Sequence, residues 1–141
     1  MMYIFDANVF INFIRAEEDT LKEVDCFIYK LIYNDIKVLI PDLCFYEVIY
    51  NLKKKEKVNE KTIELIDLFL SLENLIIYKL DAKEYKTILN LSVLNNTSTY
   101  DWTYLYLHDL FSEQTIITLD KRFYNTIKSK KNIKLLKQKK I

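Results

Sequence analysis

The stretch Tyr3-Ile4-Phe5-Asp6-Ala7-Asn8-Val9-Phe10-Ile11-Asn12-Phe13 decides the fold. A short apolar run ends at Asp6, and a second apolar run with helical spacing begins two residues later. This pattern predicts a strand that carries Asp6 to its carboxyl end, followed at once by a helix. Such an Asp is often only a turn residue or a helix N-cap. Because ligands of open α/β sheets bind beyond the strand ends, Asp6 is also a candidate site residue.

The rest of the chain alternates strand-like and helix-like patterns. Strands are predicted at residues 36–40, 75–78, 114–119 and 133–136, and helices at 21–33, 42–52, 59–72, 81–94, 98–111 and from 121. Asp42 is expected to cap the helix over 42–52. Glycine is absent, so turns must fall to Asn and Asp, as in Asn34-Asp35 and Asn95-Asn96. Without a hairpin signal, the alternation favours an α/β fold with a parallel sheet and helices on both faces.

Length and composition favour a single globular domain over residues 1–141. Half of the residues are hydrophobic and 29% are charged, which is too apolar for a disordered chain. No apolar run approaches the ~20 residues of a membrane span, and Asp6 interrupts the N-terminal run too early for a signal peptide. Cys26 and Cys44 lack a metal-ligand spacing, and we expect two buried free thiols in a reducing cytoplasm.

The net charge of +1 conceals an asymmetry along the chain. Residues 128–141 contain seven lysines and no acid, whereas residues 1–127 contain fourteen basic and twenty acidic residues, a balance of −6. An acidic body with a basic C-terminal tail is compatible with an RNA ligand. A solvated and frayed chain end is the alternative interpretation of the tail.

Three further carboxylates occupy positions like that of Asp6. Glu47 lies one turn into the helix after the second strand, Asp101 lies in the first turn after Ser98, and Asp120 ends the 114–119 strand. Each has a structural interpretation: a solvated helix residue for Glu47, a capping pattern for Ser98-x-x-Asp101 and an N-cap for Asp120. In a parallel sheet, however, all four would converge at its carboxyl edge.

Converging carboxylates have a chemical consequence. At ~4–6 Å they repel one another and raise each other's pKa, so such a site needs cations. Oxygen ligands select hard ions such as Mg²⁺ or Mn²⁺, and two such ions can clamp both oxygens of a phosphoryl displacement. No Ser–His or Cys–His pair competes for the chemistry, and the single histidine, His108, is expected to be structural.

Together these motifs resemble those of PIN-domain ribonucleases, and their order and short spacing most resemble the VapC toxins of toxin–antitoxin pairs. The resemblance covers nearly the whole chain. It rests on Phe5-Asp6-Ala7-Asn8, Pro41-Asp42-x-x-x-x-Glu47, Tyr100-Asp101 and Thr118-Leu119-Asp120-x-x-Phe123.

The resemblance implies a PIN-like three-layer α/β/α fold with a parallel, roughly five-stranded sheet. It implies that Asp6, Glu47, Asp101 and Asp120 bind Mg²⁺ or Mn²⁺, and that Asn8 and Thr118 are polar supports of the site. The implied activity is Mg²⁺-dependent cleavage of single-stranded or structured RNA by a cytoplasmic toxin, a homodimer inhibited by a small antitoxin. Trp102, Thr103 and Tyr106 stand where relatives often have small residues, which leaves the dimer face and the substrate groove open.

The chemistry we expect is hydrolysis, with Glu47 or Asp120 orienting or deprotonating the attacking water. Lys121 and Arg122 are candidates for phosphate contacts, although they could equally form a solvated helix start. A haloacid-dehalogenase-type phosphatase would want an Asp where Asn8 stands, and a non-catalytic binding module would not need acids at four strand ends. A PIN nuclease of RNA processing without an antitoxin remains an alternative, which the neighbouring gene would test.

Overall fold

The computed structural model describes residues 1–15, 21–55, 58–111, 114–128 and 132–136. Its strands are β1 (Met2–Phe5), β2 (Lys37–Pro41), β3 (Leu75–Tyr78), β4 (Thr115–Thr118) and β5 (Ile133–Leu135). Its helices are α1 (Ala7–Arg15), α2 (Lys22–Ile32), α3 (Asp42–Lys54), α4 (Glu60–Ser71), α5 (Ala82–Asn95), α6 (Thr99–Leu110) and α7 (Lys121–Ile127). These elements confirm the predicted order of strands and helices along the chain.

The strands form one parallel sheet in the order β3-β2-β1-β4-β5. β1 lies at its centre, where Ile4 pairs with Leu39 of β2 on one side and with Ile116 of β4 on the other. Helices cover both faces, so the predicted three-layer α/β/α architecture is confirmed. Every strand therefore ends at the same edge of the sheet, and the strand order places the ends of β1 and β4 side by side.

Burial explains why the central strands are continuous apolar runs. Ile4, Phe5, Ile40, Ile116 and Ile117 are 0% exposed, as expected for parallel strands covered on both faces. The edge strand β3 differs, since its Ile76 and Ile77 are 41% and 44% exposed.

The two helical layers position different parts of the sheet edge. α1 packs against α2, α3, α4 and β4, whereas α6 packs against β1, β2 and β4 and carries α5 on its outer side. In the first layer, the ring of Phe10 in α1 packs against three other aromatic rings. Its centroid lies 5.7 Å from that of Phe5, 5.4 Å from that of Phe45 and 5.4 Å from that of Phe69. α7 packs against β4 and β5. The N-termini of α1, α3 and α7 follow directly from strands β1, β2 and β4.

Asparagine takes the role of the missing glycine at two turns. Asn34 has φ 61° and Asn96 has φ 52°, both in the left-handed region that Asn tolerates better than most residues. Asn96 is the C-cap of α5. Both residues lie in the dipeptides predicted as turns.

Two local predictions are wrong. Both cysteines are free, but only Cys44 is buried, and Cys26 is exposed. The inward face of α2 consists of Val24, Phe27, Ile28 and Leu31, a spacing that leaves position 26 outside. The residue at the N-cap of α3 is Pro41 rather than Asp42, because β2 runs directly into the helix. Asp42 Oδ1 accepts a hydrogen bond from the N–H of Leu43 (2.9 Å).

The basic tail lies partly outside the described residues, which omit 129–131 and 137–141. The predicted edge strand is present as β5, where Lys134 Nζ lies 3.5 Å from Glu23 Oε2 and 5.4 Å from the centre of the Phe27 ring. Lys134 is thus engaged with α2. Among the helices that the structure describes, none has the length and apolarity needed to cross a membrane.

Candidate active site

The four predicted acids meet at the carboxyl edge of the sheet. Asp6 follows β1, Asp120 follows β4, Glu47 lies in α3 and Asp101 lies in the first turn of α6. Asp101 and Asp120 both raise the pKa of Asp6, and Asp6 and Asp101 both raise the pKa of Glu47. We call these four residues the acid cluster, since their side chains lie close enough to affect one another's ionisation.

Asp6 is held by a hydrogen-bond network that joins β1 to β4. Its Oδ2 accepts hydrogen bonds from Thr118 Oγ1 (2.8 Å) and Asn8 Nδ2 (3.1 Å). Asn8 Oδ1 in turn accepts from the backbone N–H of Leu119 (3.1 Å). Asn8 and Thr118 therefore hold Asp6 in position. Burial raises the pKa of Asp6 to about 6, against the effect of the Thr118 hydrogen bond.

Asp120 is both a helix cap and a member of the cluster. Its Oδ1 accepts hydrogen bonds from the backbone N–H groups of Arg122 (2.9 Å) and Phe123 (3.1 Å), at the N-terminus of α7. Its own backbone N–H donates to Thr118 Oγ1 (3.0 Å). The structural interpretation of Asp120 is therefore correct, but the same residue raises the pKa of both Asp6 and Asp101.

One carboxylate oxygen of Glu47 has no support from the described residues around it. Glu47 Oε1 is buried and, within the described part of the chain, has no hydrogen-bond partner. Burial and the charges of Asp6 and Asp101 raise the pKa of Glu47 to about 7, while the Tyr104 hydroxyl acts in the opposite direction. A solvated helix residue would have neither property, so that interpretation of Glu47 is wrong.

Asp101 is not the reciprocal partner of a capping box. Ser98 Oγ caps α6 by accepting from the Asp101 N–H (3.1 Å), but no return bond from the Ser98 N–H to the Asp101 carboxylate is found among the described residues. In α4 and α5, by contrast, the box is closed in both directions. Burial and the charge of Asp120 raise the pKa of Asp101, and the nearby Arg122 opposes them. The Asp101 carboxylate is thus available to a ligand.

Comparison with known proteins identifies the family. The PIN domain family model matches residues 3–128. The chain belongs to the PIN domain family. The resemblance inferred from the four sequence motifs is therefore confirmed. PIN domains are nucleases, so membership supports hydrolysis of nucleic acids by this chain. No curated protein matches it.

Solved structures of distant relatives share the fold. VapBC2 from Rickettsia felis, bound to a DNA fragment from their promoter, is 19% identical over 97% of this chain and 100% of that one, with a TM-score of 0.63. PAE2754 from Pyrobaculum aerophilum is 18% identical over 89% and 87% of the two chains, with a TM-score of 0.59. FitAcB from Neisseria gonorrhoeae is 14% identical over 94% and 96%, with a TM-score of 0.57.

Two buried groups of this PIN domain support the cluster and were missed by the sequence analysis. The Tyr104 hydroxyl accepts a hydrogen bond from the N–H of Ala7 (3.3 Å), the first residue of α1. Cys44 Sγ donates to the carbonyl of Phe5 at 4.0 Å. Burial raises the pKa of both Tyr104 and Cys44 well above their usual values. The available signal was their spacing, since each lies three residues, one helical turn, from an acid of the cluster.

The acid cluster fits a hard cation by its chemistry. Carboxylate oxygens are the ligands that Mg²⁺ and Mn²⁺ prefer. The raised pKa values of Asp6, Glu47 and Asp101 and the unpartnered Oε1 of Glu47 mark a site short of positive charge. Over the described residues, however, no three His, Cys, Asp or Glu side chains form a ready-made metal cage.

The remaining candidates lie around the PIN domain's acid cluster or away from it. Lys121 and Arg122 are exposed at the start of α7, and Arg122 acts on Asp101. His108 is buried on α6, with Nδ1 3.6 Å from Asp109 Oδ1, and is not among the groups that shift the pKa of the acids. Phosphate contacts by Lys121 and Arg122 and a structural role for His108 stay predictions.

Proposed function

We propose that this PIN domain is a Mg²⁺- or Mn²⁺-dependent endoribonuclease that hydrolyses phosphodiester bonds at the acid cluster. The observation that carries the proposal is the meeting of four carboxylates from different elements, three of them with raised pKa values. Such an arrangement costs stability, and a bound cation would offset that cost. Preference for RNA over DNA is supported by the resemblance to PIN-domain ribonucleases.

In this proposal Asp6, Glu47, Asp101 and Asp120 hold the cation. When bound, it would lower the pKa of an attacking water and neutralise charge that develops on the phosphate. Asn8 and Thr118 keep Asp6 in place through hydrogen bonds of 3.1 and 2.8 Å, so that little reorganisation is needed when a ligand arrives.

Glu47 is the better of the two candidates for accepting the proton of the water. A general base needs a free carboxylate oxygen that can reach the attacking water. Glu47 Oε1 has no hydrogen bond in the described part of the chain, whereas Asp120 Oδ1 already accepts two backbone N–H groups. We therefore assign the general base to Glu47 in addition to its ligand role, and a ligand role alone to Asp120.

Lys121 and Arg122 would contact the phosphates that flank the cleaved bond. Both are exposed at the start of α7, directly after Asp120. The electrostatic effect of Arg122 on Asp101 places this positive charge beside the cluster. Contacts of this kind position a nucleic acid without reading its sequence.

We further propose that the chain is the toxin of a toxin–antitoxin pair. Its motifs resemble those of VapC toxins, and the similar solved structures include VapBC2 and FitAcB. A small antitoxin would then be its partner. A neighbouring reading frame whose product binds the chain and inhibits cleavage would support this assignment. An RNA-processing nuclease would lack such a partner.

A homodimer is part of the same proposal. Val93 and Leu94 of α5 are 73% and 80% exposed, and Ile76 and Ile77 lie exposed on the edge strand β3. Apolar surfaces and uncovered sheet edges of this kind favour association. Sedimentation of the purified chain would give its oligomeric state.

The direct test is a cleavage assay on labelled RNA and on DNA of the same sequence. We expect RNA cleavage with Mg²⁺ or Mn²⁺, none in excess EDTA, and none by Asp101→Asn. Asp81→Asn is the matched control, because Asp81 is an N-cap of α5 outside the cluster. Full activity in EDTA, or in Asp101→Asn, would contradict the proposal.

A further inference from the structure

A groove of about 470 Å³ lies between α3, α5 and α6. Its lining includes Asp42, Tyr46, Tyr85, Leu89, Thr99 and Tyr100. The volume falls within the range of small-ligand pockets in proteins. Leu80, which follows β3, also lines it, so the groove opens at the same edge of the sheet as the acids.

We propose that this groove binds an unpaired nucleobase of the substrate, next to the bond that is cleaved. The inference rests on the proposed nuclease function and adds to it a binding position for one base, formed by named tyrosines of this chain. The ligand is the base itself, held mainly by stacking on tyrosine rings.

The position of two tyrosines ties the groove to the acid cluster. Tyr46 immediately precedes Glu47 on α3, and Tyr100 immediately precedes Asp101 on α6. Neighbouring residues of a helix point in directions about 100° apart, so each helix turns an acid towards the cluster and a tyrosine towards the groove. A strand whose phosphate reaches the acids would therefore bring its adjoining base to the tyrosines.

The tyrosines of the groove have rings that are open to solvent. Tyr46, Tyr100 and Tyr85 are 70%, 55% and 54% exposed, although burial of an aromatic ring is strongly favourable. No hydrogen bond to their hydroxyls is found among the residues that the structure describes. Stacking on an aromatic ring strengthens binding about tenfold or more per base and suits any base.

Charge favours a base over a phosphate in this groove. Of the described residues that line it, none is positively charged, and Asp42 is negative. The neighbouring acid cluster would repel a second phosphate as well. Positive charge lies at Lys121 and Arg122 of α7, which packs on β4 and β5, whereas the groove lies towards β3. A bound strand would thus have phosphates held at one side of the cluster and a base at the other.

A base inside a duplex is stacked between its neighbours and cannot enter such a groove without being extruded. Recognition of RNA by sequence or structure usually targets unpaired bases for this reason. The groove therefore predicts that binding and cleavage favour single-stranded segments.

The test measures binding separately from cleavage. The full chain is titrated into a short fluorescent single-stranded RNA at low salt in EDTA, and into the corresponding duplex. Variants are Tyr46→Ala and Tyr100→Ala, with Tyr46→Phe and Tyr100→Phe as ring-retaining partners. Tyr50→Ala is the matched control, since Tyr50 is 58% exposed on the same helix α3 but does not line the groove.

We expect each alanine variant to weaken single-strand binding about tenfold, which corresponds to ~1.4 kcal/mol. The phenylalanine variants and Tyr50→Ala should bind within about twofold of wild type, and duplex binding should not depend on the tyrosines. Melting curves check that each variant is folded.

Single-strand binding that does not depend on Tyr46 and Tyr100, or is absent from wild type, would overturn the proposal. So would a changed oligomeric state of the alanine variants with unchanged RNA binding, because the groove would then receive a protein. Tyrosine-dependent binding without cleavage in Mg²⁺ or Mn²⁺ would instead support the groove and contradict the proposed nuclease function.

Discussion

Two glutamates of this chain show opposite ways of placing a carboxylate. Glu84 on α5 accepts hydrogen bonds from the hydroxyls of Tyr78 (2.8 Å) and Tyr106 (2.6 Å) and from the N–H of Asp81 (3.1 Å). The Tyr106 hydrogen bond is the main cause that lowers the pKa of Glu84. Glu47 has an unpartnered buried oxygen, and its pKa is raised to about 7.

The difference separates a structural carboxylate from one that is left for a ligand. The charged form of Glu84 is stabilised by hydrogen bonds from groups of the folded chain itself. This carboxylate therefore needs no bound cation or proton. Glu47 is destabilised in that form by burial and by Asp6 and Asp101, and only a cation or a proton can relieve this. If this distinction is correct, the two glutamates should differ in function as they do in environment.

The largest expected effect is on cleavage by Glu47→Gln. This variant keeps the shape of the side chain but cannot accept the proton of water, so we expect activity to fall by about 10²-fold or more. Its melting temperature in EDTA should equal or exceed that of wild type, because a desolvated charge has been removed.

Glu84→Gln is the matched control and should behave in the opposite way. It weakens hydrogen bonds to a charged acceptor, so stability should fall by about 1 kcal/mol or less, given the solvent exposure of Glu84. Cleavage should stay near wild type. If both variants lost activity equally, the distinction between the two glutamates would fail.

The raised pKa values predict an unusual dependence of stability on pH. Carboxyls with ordinary pKa values of 3.8 for Asp6 and 4.5 for Glu47 titrate at about 6 and about 7 in the folded protein. Between these values the folded chain binds more protons than the unfolded chain, so its stability falls as pH rises.

In EDTA the melting temperature should therefore decrease from about pH 5 to about pH 7. Glu47→Gln should flatten this decrease. Glu84→Gln should retain it, since the lowered pKa of Glu84 affects stability only below about pH 4.5. A wild-type melting temperature that rises steadily over this interval would contradict the raised pKa values.

The two tyrosines of α6 extend the same comparison. Tyr104→Phe leaves the buried N–H of Ala7 without its acceptor, and we expect a loss of roughly 1–3 kcal/mol together with reduced cleavage. Tyr106→Phe instead removes the hydroxyl that donates a hydrogen bond to Glu84. It should lower stability less than Tyr104→Phe and leave cleavage unchanged. Chemical denaturation and the cleavage assay measure both. Equal effects of the two variants on cleavage would argue against a link between Tyr104 and the cluster.

The smallest expected effect concerns Arg122. Arg122→Ala should weaken RNA binding at low salt and reduce the slope of log affinity against log salt by about 1, as for one phosphate contact. Lys86→Ala, at an exposed position of α5, should leave the slope unchanged. An unchanged slope for Arg122→Ala would show that Arg122 does not contact a phosphate and is only a solvated residue at the start of α7.

The fold and the meeting of the acids could be predicted, because both depend on patterns that are visible in the amino-acid sequence alone. Apolar runs of four or five residues marked the strands, and acids directly after them had to share an edge once the sheet was parallel. Asn34 and Asn96 marked turns because few other residues tolerate a positive φ.

The features that could not be predicted from the sequence depend on how the helices and strands pack together. A buried Tyr104 looks like any core aromatic until its hydroxyl is placed beside Ala7. The groove next to the acids is formed by α3, α5 and α6 together, which no local pattern reveals. Cys26 was misplaced because its apolar segment was considered as a whole, although the buried positions of α2 exclude it.

The measurement that most directly tests the central claim is the effect of Mg²⁺ on the melting temperature of wild type, Asp101→Asn and Glu84→Gln. If the acid cluster binds the cation, Mg²⁺ should stabilise wild type and Glu84→Gln alike, by about 2.7 kcal/mol at a hundredfold excess over the dissociation constant. Asp101→Asn should melt at or above the wild-type temperature in EDTA and gain much less from Mg²⁺. An Asp101→Asn variant that is destabilised in EDTA, gains as much from Mg²⁺ as wild type and still cleaves RNA would contradict the claim.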